Sequence, residues 1–162
     1  MGSDLVNIRN EFVQGMGEIS RFWGFSPVLG QMYALLYLND GPMTADVLGE
    51  KLGISKGNVS MTLRSLERWG MIRRNRKVGE RKELYDAETD FGRIFVNMLM
   101  ERRNKDFDRS LGTVTRCLEQ LKGIEKTKEG GLVRDRLVHM QRFFKTLDTG
   151  VLTLLKLVKP GG

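Results

Sequence analysis

The chain has 162 residues, of which 40% are hydrophobic and 29% charged, a balance that excludes a disordered chain and indicates a globular one. It carries 27 Lys and Arg against 20 Asp and Glu, a net charge of +7, and its single cysteine, Cys117, excludes an intrachain disulfide. The sequence has neither an apolar stretch long enough to span a bilayer nor the layout of a signal peptide at its start, so we expect a reduced, cytoplasmic protein.

The beginning of the chain predicts two helices. Apolar residues recur at near-helical spacing over residues 4–23, until the sequence GFSP breaks the pattern, because the residue before a proline is pushed out of the helical region. Pro27 fits the first turn of a second helix with Ser26 as its cap, and this helix runs to about Leu38, where NDGP stops it. The apolar residues of the first helix are Leu5, Ile8, Phe12, Ile19 and Phe22.

The next segment predicts a helix-turn-helix. Thr44 is a plausible cap for a short helix that Gly53 ends, and Ser55 is the cap of a second helix over residues 56–69 that Gly70 ends. Two short helices joined by a turn of three or four residues with a glycine describe this motif. The residues of the second helix that face inward are Val59, Thr62, Leu63 and Leu66.

A basic β-hairpin, or wing, is predicted after Gly70. Residues 71–75 can form one strand, residues 77–80 a turn, and residues 81–86 a returning strand.

The rest of the chain predicts helices. Residues 91–121 form a long helix with Thr89 or Asp90 at its start, and residues 123–131 form a loop. A final helix over residues 132–158 carries an apolar seam whose steps alternate between four and three, the spacing of a coiled coil. The seam can be filled by the preceding helix, by a second subunit, or by both. Its members are Val133, Leu137, Met140, Phe144, Leu147, Val151, Leu154 and Val158.

The excess positive charge is concentrated in one segment. Residues 55–82 hold nine Lys or Arg and two acids, so the remaining 18 basic and 18 acidic residues balance each other. Such a run of basic residues is more often only a solvated surface. Its position directly behind a helix-turn-helix pattern instead favours a polyanionic partner, namely nucleic acid.

The outward face of the second helix predicts the contacts with DNA. The first turns of such a helix usually meet base edges in the major groove, where Asn58 can pair with adenine and Lys56 with guanine or phosphate. Met61 is either a base contact or a residue at the edge of the core, and Arg64 and Arg68 can also pair with Glu67 within the helix.

The wing predicts contacts with the DNA backbone, and Arg81 at its tip can enter the minor groove. The predicted DNA-binding residues are Thr44, Ser55, Lys56, Gly57, Asn58, Ser60, Met61, Arg64, Arg74, Arg76, Lys77, Arg81 and Lys82.

Other functions have weaker support. The sequence has one histidine, His139, no metal-binding Cys/His spacing, no nucleophile elbow and no phosphate-binding glycine loop, so we expect no enzyme, no metal and no cofactor. Aromatic residues near the first two helices can in principle hold a quaternary ammonium ion, although such side chains more often form core, so they stay outside the predicted site. These residues are Phe22, Trp23, Phe25, Tyr33 and Tyr37.

Three stretches resemble the winged helix-turn-helix regulators of the MarR superfamily, and more narrowly its GbsR-like branch. They are WGFSPVLGQMYALLYL at 23–38, MTADVLGEKLGISKGNVSMTLRSLERWGMIRR at 43–74 and VGERKELYDAETD at 78–90. The resemblance implies a homodimer joined through its terminal helices and transcriptional control, often repression that a small ligand relieves. It also implies an acidic residue beside an arginine at the wing tip, here Glu80 and Arg81, where the family more often has aspartate.

We therefore predict a mainly α fold: a winged helix-turn-helix with a small β-hairpin wing and long C-terminal dimerisation helices. Residues 1–89 hold the N-terminal helices and the DNA-binding region, and residues 90–162 form the helical dimerisation region. The predicted function is a DNA-binding transcriptional regulator, a repressor that acts as a homodimer on an inverted-repeat operator in double-stranded DNA. A response to a small-molecule effector is left open. The alternative is a winged helix that binds protein or RNA without operator specificity.

Overall fold

The computed structural model describes residues 2–76, 79, 81–103, 107–124 and 126–158, without the side chains of residues 155 and 158. The chain divides into two compact units, Met1–Ile94 and Phe95–Gly162, which we call the winged unit and the helical unit. The predicted mainly helical fold with a small sheet is confirmed. The elements are α1 Gly2–Phe22, α2 Pro27–Tyr37, β1 Met43–Thr44, α3 Ala45–Leu52, α4 Lys56–Arg68, β2 Ile72–Asn75, β3 Leu84–Ala87, α5 Phe91–Arg102, α6 Asp108–Gln120 and α7 Lys128–Val158.

The ends of the helix-turn-helix follow the local signals of the sequence. The Thr44 hydroxyl accepts a hydrogen bond from the Val47 N–H at 3.4 Å, and the Ser55 hydroxyl accepts one from the Asn58 N–H at 3.3 Å. Gly53 ends α3 with φ +63°, a left-handed conformation that glycine adopts without strain. These predicted caps of α3 and α4 are therefore confirmed.

The N-terminal helices form over nearly the predicted residues and pack closely against each other. Ser26 stands at the cap position of α2 but makes no side-chain capping bond, and its carbonyl instead accepts a hydrogen bond from the Ser20 hydroxyl at 2.8 Å. A Cβ on Gly30 would lie 2.1 Å from the Met16 carbonyl oxygen, so only glycine lets α1 and α2 approach so closely. Most of the apolar series that indicated α1 lies on its outer face: Leu5, Ile8, Ile19 and Phe22 are exposed.

The wing belongs to a three-stranded antiparallel sheet with the order β1-β3-β2. Tyr85 of β3 pairs with Arg74 of β2 on one side and with Met43 of β1 on the other. The prediction missed β1, and it placed the start of the returning strand at Arg81, whereas β3 begins at Leu84. The predicted turn residues Lys77, Val78 and Glu80 lie outside the described residues.

The core of the winged unit fixes the orientation of α4. Leu66 on the inner face of α4 is fully buried, as are Met32 and Tyr33 of α2 and Leu48 of α3. The Tyr33 hydroxyl donates a buried hydrogen bond of 2.7 Å to the Glu88 carbonyl, just after β3. Because the inner face of α4 is held in this way, its opposite face is directed outward.

The helical unit begins in the segment that the sequence predicted as one helix. Arg103 and Phe107 have π-helical geometry, and they flank residues 104–106, which lie outside the described residues. The helix α7 starts at Lys128, earlier than the predicted residue 132, and the Thr127 hydroxyl accepts a hydrogen bond from the Gly130 N–H at 3.0 Å. Among the described residues, no helix has the length and apolar character required to cross a membrane.

The apolar seam of α7 separates into two columns. Leu137, Phe144 and Val151 form a half-buried column, whereas Val133, Met140, Leu147 and Leu154 form an exposed one. Phe144 of the half-buried column packs edge-on against Phe107, which directly precedes α6, at a centroid distance of 5.4 Å. The side chain of Val158 lies outside the described residues.

Candidate nucleic-acid interface

The outer face of α4 is polar and open to solvent. Lys56, Ser60 and Arg64 are exposed, whereas the inward residues predicted from the sequence, Val59, Thr62, Leu63 and Leu66, are all buried. Met61 is 62% exposed, so the alternative that it belongs to the edge of the core is wrong. The helix therefore presents a continuous polar surface beside one flexible apolar side chain.

The first turn of α4 combines a capped end with a small residue. Ser55 is exposed and caps the helix, and Gly57 is exposed with no atom within 4 Å of the place where a Cβ would lie. The side chain of Asn58 is half-buried, and its Oδ1 accepts a hydrogen bond from the Thr62 hydroxyl at 3.4 Å. A carbonyl oxygen can accept a second hydrogen bond, so this long, weak bond leaves Asn58 able to contact a base.

The charged residues of α4 pair differently from the prediction. Arg64 Nε donates to the Ser60 carbonyl on its own helix at 3.3 Å. Glu67 pairs with Arg74 of β2, and the expected intrahelical pairs of Glu67 with Arg64 and Arg68 are not among the ion pairs of the described residues.

Arg74 connects α4 with both sides of the wing. Its Nε and one terminal nitrogen donate to the two oxygens of Glu67 at 2.8 and 2.6 Å, and its other terminal nitrogen donates to Glu83 at 3.3 Å. Its guanidinium carbon lies 5.9 Å from the centroid of the Tyr85 ring. The hydrogen bonds to Glu67 raise the pKa of Arg74 above its ordinary value. We call Arg74, Glu67, Glu83 and Tyr85 the Arg74 bridge.

Tyr85 ties the bridge to the sheet. It is the buried central residue of the β1-β3-β2 ladder, and its hydroxyl donates to Glu83 at 3.0 Å. Burial raises the pKa of Tyr85 to about 12, and its hydrogen bond to Glu83 shifts the pKa in the same direction. The phenol therefore remains a neutral donor at physiological pH.

The remaining predicted cations of the wing fall into two groups. Arg76 and Arg81 are exposed and make no hydrogen bond or ion pair within the part of the chain that the structure describes. Lys82 instead pairs with Asp46 of α3 at 3.3 Å. Lys77, another predicted contact, lies outside the described residues.

A cleft of about 420 Å³ separates the outer face of α4 from β3. Thr44, at the start of α3, is half-buried beside a second, smaller cleft that runs toward the tip of the wing. The lining of the larger cleft includes Lys56, Ser60 and Arg64 on the helix side, and Arg74, Glu83 and Tyr85 on the strand side. The structure thus brings four predicted residues together along the larger cleft, namely Lys56, Ser60, Arg64 and Arg74, whereas Thr44, Arg76, Arg81 and Lys82 line the smaller one.

Glu88 was not predicted and anchors the far end of β3. Its side chain is buried and accepts the N–H groups of Thr89 and Asp90 at 2.9 and 3.0 Å, while Arg93 lies 3.5 Å away. The backbone hydrogen bond from Asp90, assisted by the one from Thr89, lowers the pKa of Glu88. Asp90 caps α5 by accepting the Arg93 N–H at 3.0 Å, which confirms it as one of the two predicted starting residues.

The aromatic residues considered as a ligand cage separate into different groups. Tyr33 stacks on Tyr37 in the core, Phe25 packs edge-on against Trp69, and Phe22, which is 84% exposed, lies against Trp23. Within the described residues, no group of three or more His, Cys, Asp or Glu side chains can hold a metal ion.

Comparison with known proteins agrees with this geometry. Residues 17–82 match the model of the MarR family, a range that includes the helix-turn-helix and most of the wing. The HTH-type transcriptional repressor OpcR of Bacillus subtilis is 28% identical over 96 residues, which cover 59% of this chain and 52% of that protein. The repressor GbsR of the same organism is 28% identical over 89 residues, covering 55% and 49%.

The chain thus spans about half the length of the curated relatives it matches. A solved structure described as the crystal structure of a transcriptional regulator aligns with a TM-score of 0.58 at 19% identity. This alignment covers 86% of the present chain and 94% of the other. At this identity the likeness supports the fold alone.

Proposed function

We propose that this chain, whose residues 17–82 match the model of the MarR family, is a winged helix-turn-helix protein that binds double-stranded DNA and regulates transcription. The observation that carries the proposal is the outer face of α4, which is held outward by a buried inner face and presents Lys56, Ser60 and Arg64 to solvent. A helix of this kind fits the major groove, where these side chains meet base edges and phosphates.

The wing supports the same function through its charge. Arg76 and Arg81 are exposed, and neither is neutralised by a carboxylate among the described residues. Because each cation that meets a phosphate releases a condensed counterion, such residues strengthen binding to any sequence and make it depend on salt. We therefore assign the reading of bases to α4 and the electrostatic grip to the wing.

The helical unit supports a homodimer. The apolar residues Val133, Met140, Leu147 and Leu154 repeat every seven residues along α7 and remain exposed, although the other column of the seam is half-buried. An apolar column of this length on a helix is typical of a surface that a second helix covers. A second copy of the chain offers the same column, and an isologous contact between the two α7 helices would bury both.

Two-fold symmetry determines the form of the binding site on DNA. A symmetric dimer would present two copies of α4, and such pairs read half-sites whose centres lie about 34 Å apart, one turn of the duplex. The operator is therefore an inverted repeat. Because OpcR and GbsR are both named repressors, we propose repression as the outcome of binding.

Titration with labelled DNA tests the proposal. The full chain is added to fluorescein-labelled duplexes of random sequence, about 30 base pairs long and thus roughly three helical turns, at several salt concentrations. We expect binding whose logarithm falls linearly with the logarithm of the salt concentration. Competition by RNA of the same length distinguishes a DNA-binding regulator from an RNA-binding protein. If RNA displaces the duplex at equal concentration, the regulator proposal is wrong. It is also wrong if no duplex binds in dilute buffer.

A further inference from the structure

Arg74, a predicted contact with the DNA backbone, differs from the neighbouring wing arginine Arg76 in its ion pairs. Arg74 donates to both oxygens of Glu67 and to Glu83, whereas Arg76, two residues further on, makes no bond among the described residues. A guanidinium that forms a bidentate ion pair with a carboxylate has its charge neutralised and its orientation fixed. A phosphate would have to displace Glu67 before it could bind Arg74.

The partners of Arg74 lie on different elements. Glu67 is in the last turn of α4, Arg74 is on β2, and Glu83 directly precedes β3, so one side chain connects the recognition helix with both sides of the wing. The ring of Tyr85 lies beside the guanidinium, and the Tyr85 hydroxyl holds Glu83. Side-chain contacts therefore connect the two wing strands in addition to the backbone pairing of β2 with β3.

The connection through Arg74 matters because a cleft lies between α4 and β3. The lining of this cleft includes the apolar residues Ala45, Val59 and Leu63. Open space remains between its helix side and its strand side, to which Arg74, Glu83 and Tyr85 belong. Where packed apolar side chains do not fill a gap, the distance between its walls depends on the polar connections around it.

We propose that Arg74 is a positioning residue that holds the wing at a fixed distance from α4, so that α4 and the exposed wing arginines meet one duplex together. The inference rests on the proposed binding of DNA. A wing placed in advance loses less conformational freedom on binding, and affinity rises accordingly.

The variant Glu67→Gln distinguishes positioning from charge by the sign of its effect. It removes a negative charge close to the proposed DNA surface, so an effect of charge alone would strengthen binding. Positioning predicts the opposite, because glutamine cannot hold the guanidinium with two charged oxygens. We expect the affinity for the random duplex pool to fall about threefold to tenfold, the range expected for one side chain newly ordered on binding.

Two further variants isolate the role of Arg74. Asp46→Asn removes the same charge from the same unit but leaves the bridge intact and frees Lys82, so its affinity is expected to stay equal or rise. Arg74→Lys keeps the positive charge but loses the fork, so its affinity is expected to fall as in Glu67→Gln. Full affinity in Arg74→Lys, or equal weakening in Asp46→Asn, would overturn the proposal.

Amide hydrogen exchange in the absence of DNA provides an independent readout. We expect the N–H groups of Arg73 and Asn75 to exchange about threefold to tenfold faster in Glu67→Gln and unchanged in Asp46→Asn. Unchanged exchange in Glu67→Gln, or tighter binding of DNA by that variant, contradicts the positioning role. If the parent protein binds no duplex, the proposed function fails, whereas the exchange experiment still decides whether the bridge holds the wing.

Discussion

The winged unit and the helical unit differ in how completely they bury their own apolar side chains. The winged unit has buried residues on α2, α3, α4, β2 and β3, among them Met32, Leu48, Leu66 and Ile72. In the described part of the helical unit, Val114 is the one apolar side chain classed as buried, and α7 leaves a whole apolar column exposed. The winged unit also has exposed apolar side chains, most of them on the outer face of α1, with others at Trp23, Val47, Met61 and Phe91.

This difference indicates that the two units have different roles. A unit that encloses its own core can hold a polar surface in a fixed orientation, as the winged unit does with the outer face of α4. A unit with an incomplete core is stabilised by whatever covers it, so its stability depends on association. We therefore propose that the winged unit recognises DNA and that the helical unit dimerises.

The largest expected effect is on the stability of the winged unit, which encloses its own apolar core. Leu66→Ala removes a side chain with no exposed surface, and we expect the free energy of unfolding to fall by about 2–5 kcal/mol. Chemical denaturation followed by circular dichroism measures the change. The matched control is Met61→Ala on the outer face of the same helix, which should shift stability by no more than about 0.5 kcal/mol. Equal losses in the two variants would show that the core of the winged unit is not closed.

A smaller effect is expected on the association of the helical unit, whose apolar column on α7 is exposed. Leu147→Asp places a charge in the exposed column of α7, where Leu147 is 46% exposed, and we expect the dissociation constant of the dimer to rise about 10- to 100-fold. Thr149→Asp adds the same charge on the polar face of the same helix and should leave association unchanged. Sedimentation equilibrium measures both variants, and a parent protein that is monomeric at micromolar concentration would rule out the dimer.

The third effect concerns the selectivity of the winged unit. Asn58→Ala should relax the preference for particular bases at a cost of about 1–3 kcal/mol if the side chain reads adenine, while dimerisation is unaffected. Its Oδ1 accepts the long hydrogen bond from Thr62 and, as a carbonyl oxygen, can accept a second one from a base. Variant and parent are each used to select duplexes from a random pool. Recovery of the same sequences by both would remove Asn58 from the residues that read bases.

The smallest effect distinguishes two neighbouring cations. Arg81→Ala should weaken binding to most sequences and reduce the salt slope by about 0.9, the amount for one lost phosphate contact. Lys82→Ala should change the slope less, because Lys82 already pairs with Asp46. The salt titration described for the parent protein measures both slopes. Equal slopes in the two variants would mean that the pair with Asp46 does not persist on DNA.

The parts of the fold that the sequence predicts correctly are those with local causes. Thr44, Ser55 and Gly53 act through hydrogen bonds and backbone angles within a few residues, so the ends of α3 and α4 follow from the sequence. The inner face of α4 follows from helical periodicity in the same way. The outer face is then known as well, which is why the predicted site residues of α4 form one surface.

The parts that the sequence does not reveal depend on distant partners. The strand β1 has two residues and no pattern of its own, and it exists because β3 pairs with it. The connection from Arg74 to Glu67 and Glu83 needs the register of β2 against β3, which brings Arg74 opposite Tyr85. A run of basic residues shows where positive charge accumulates, but not which of those charges a carboxylate already holds.

Selection of bound duplexes from a random DNA library by the full chain depends on both units at once, because it requires recognition of DNA by the winged unit and dimerisation by the helical unit. We expect an enriched inverted repeat whose half-sites are centred about one helical turn apart. An enriched sequence without two-fold symmetry would contradict the dimer. Failure to retain any duplex in dilute buffer would contradict the recognition of DNA itself.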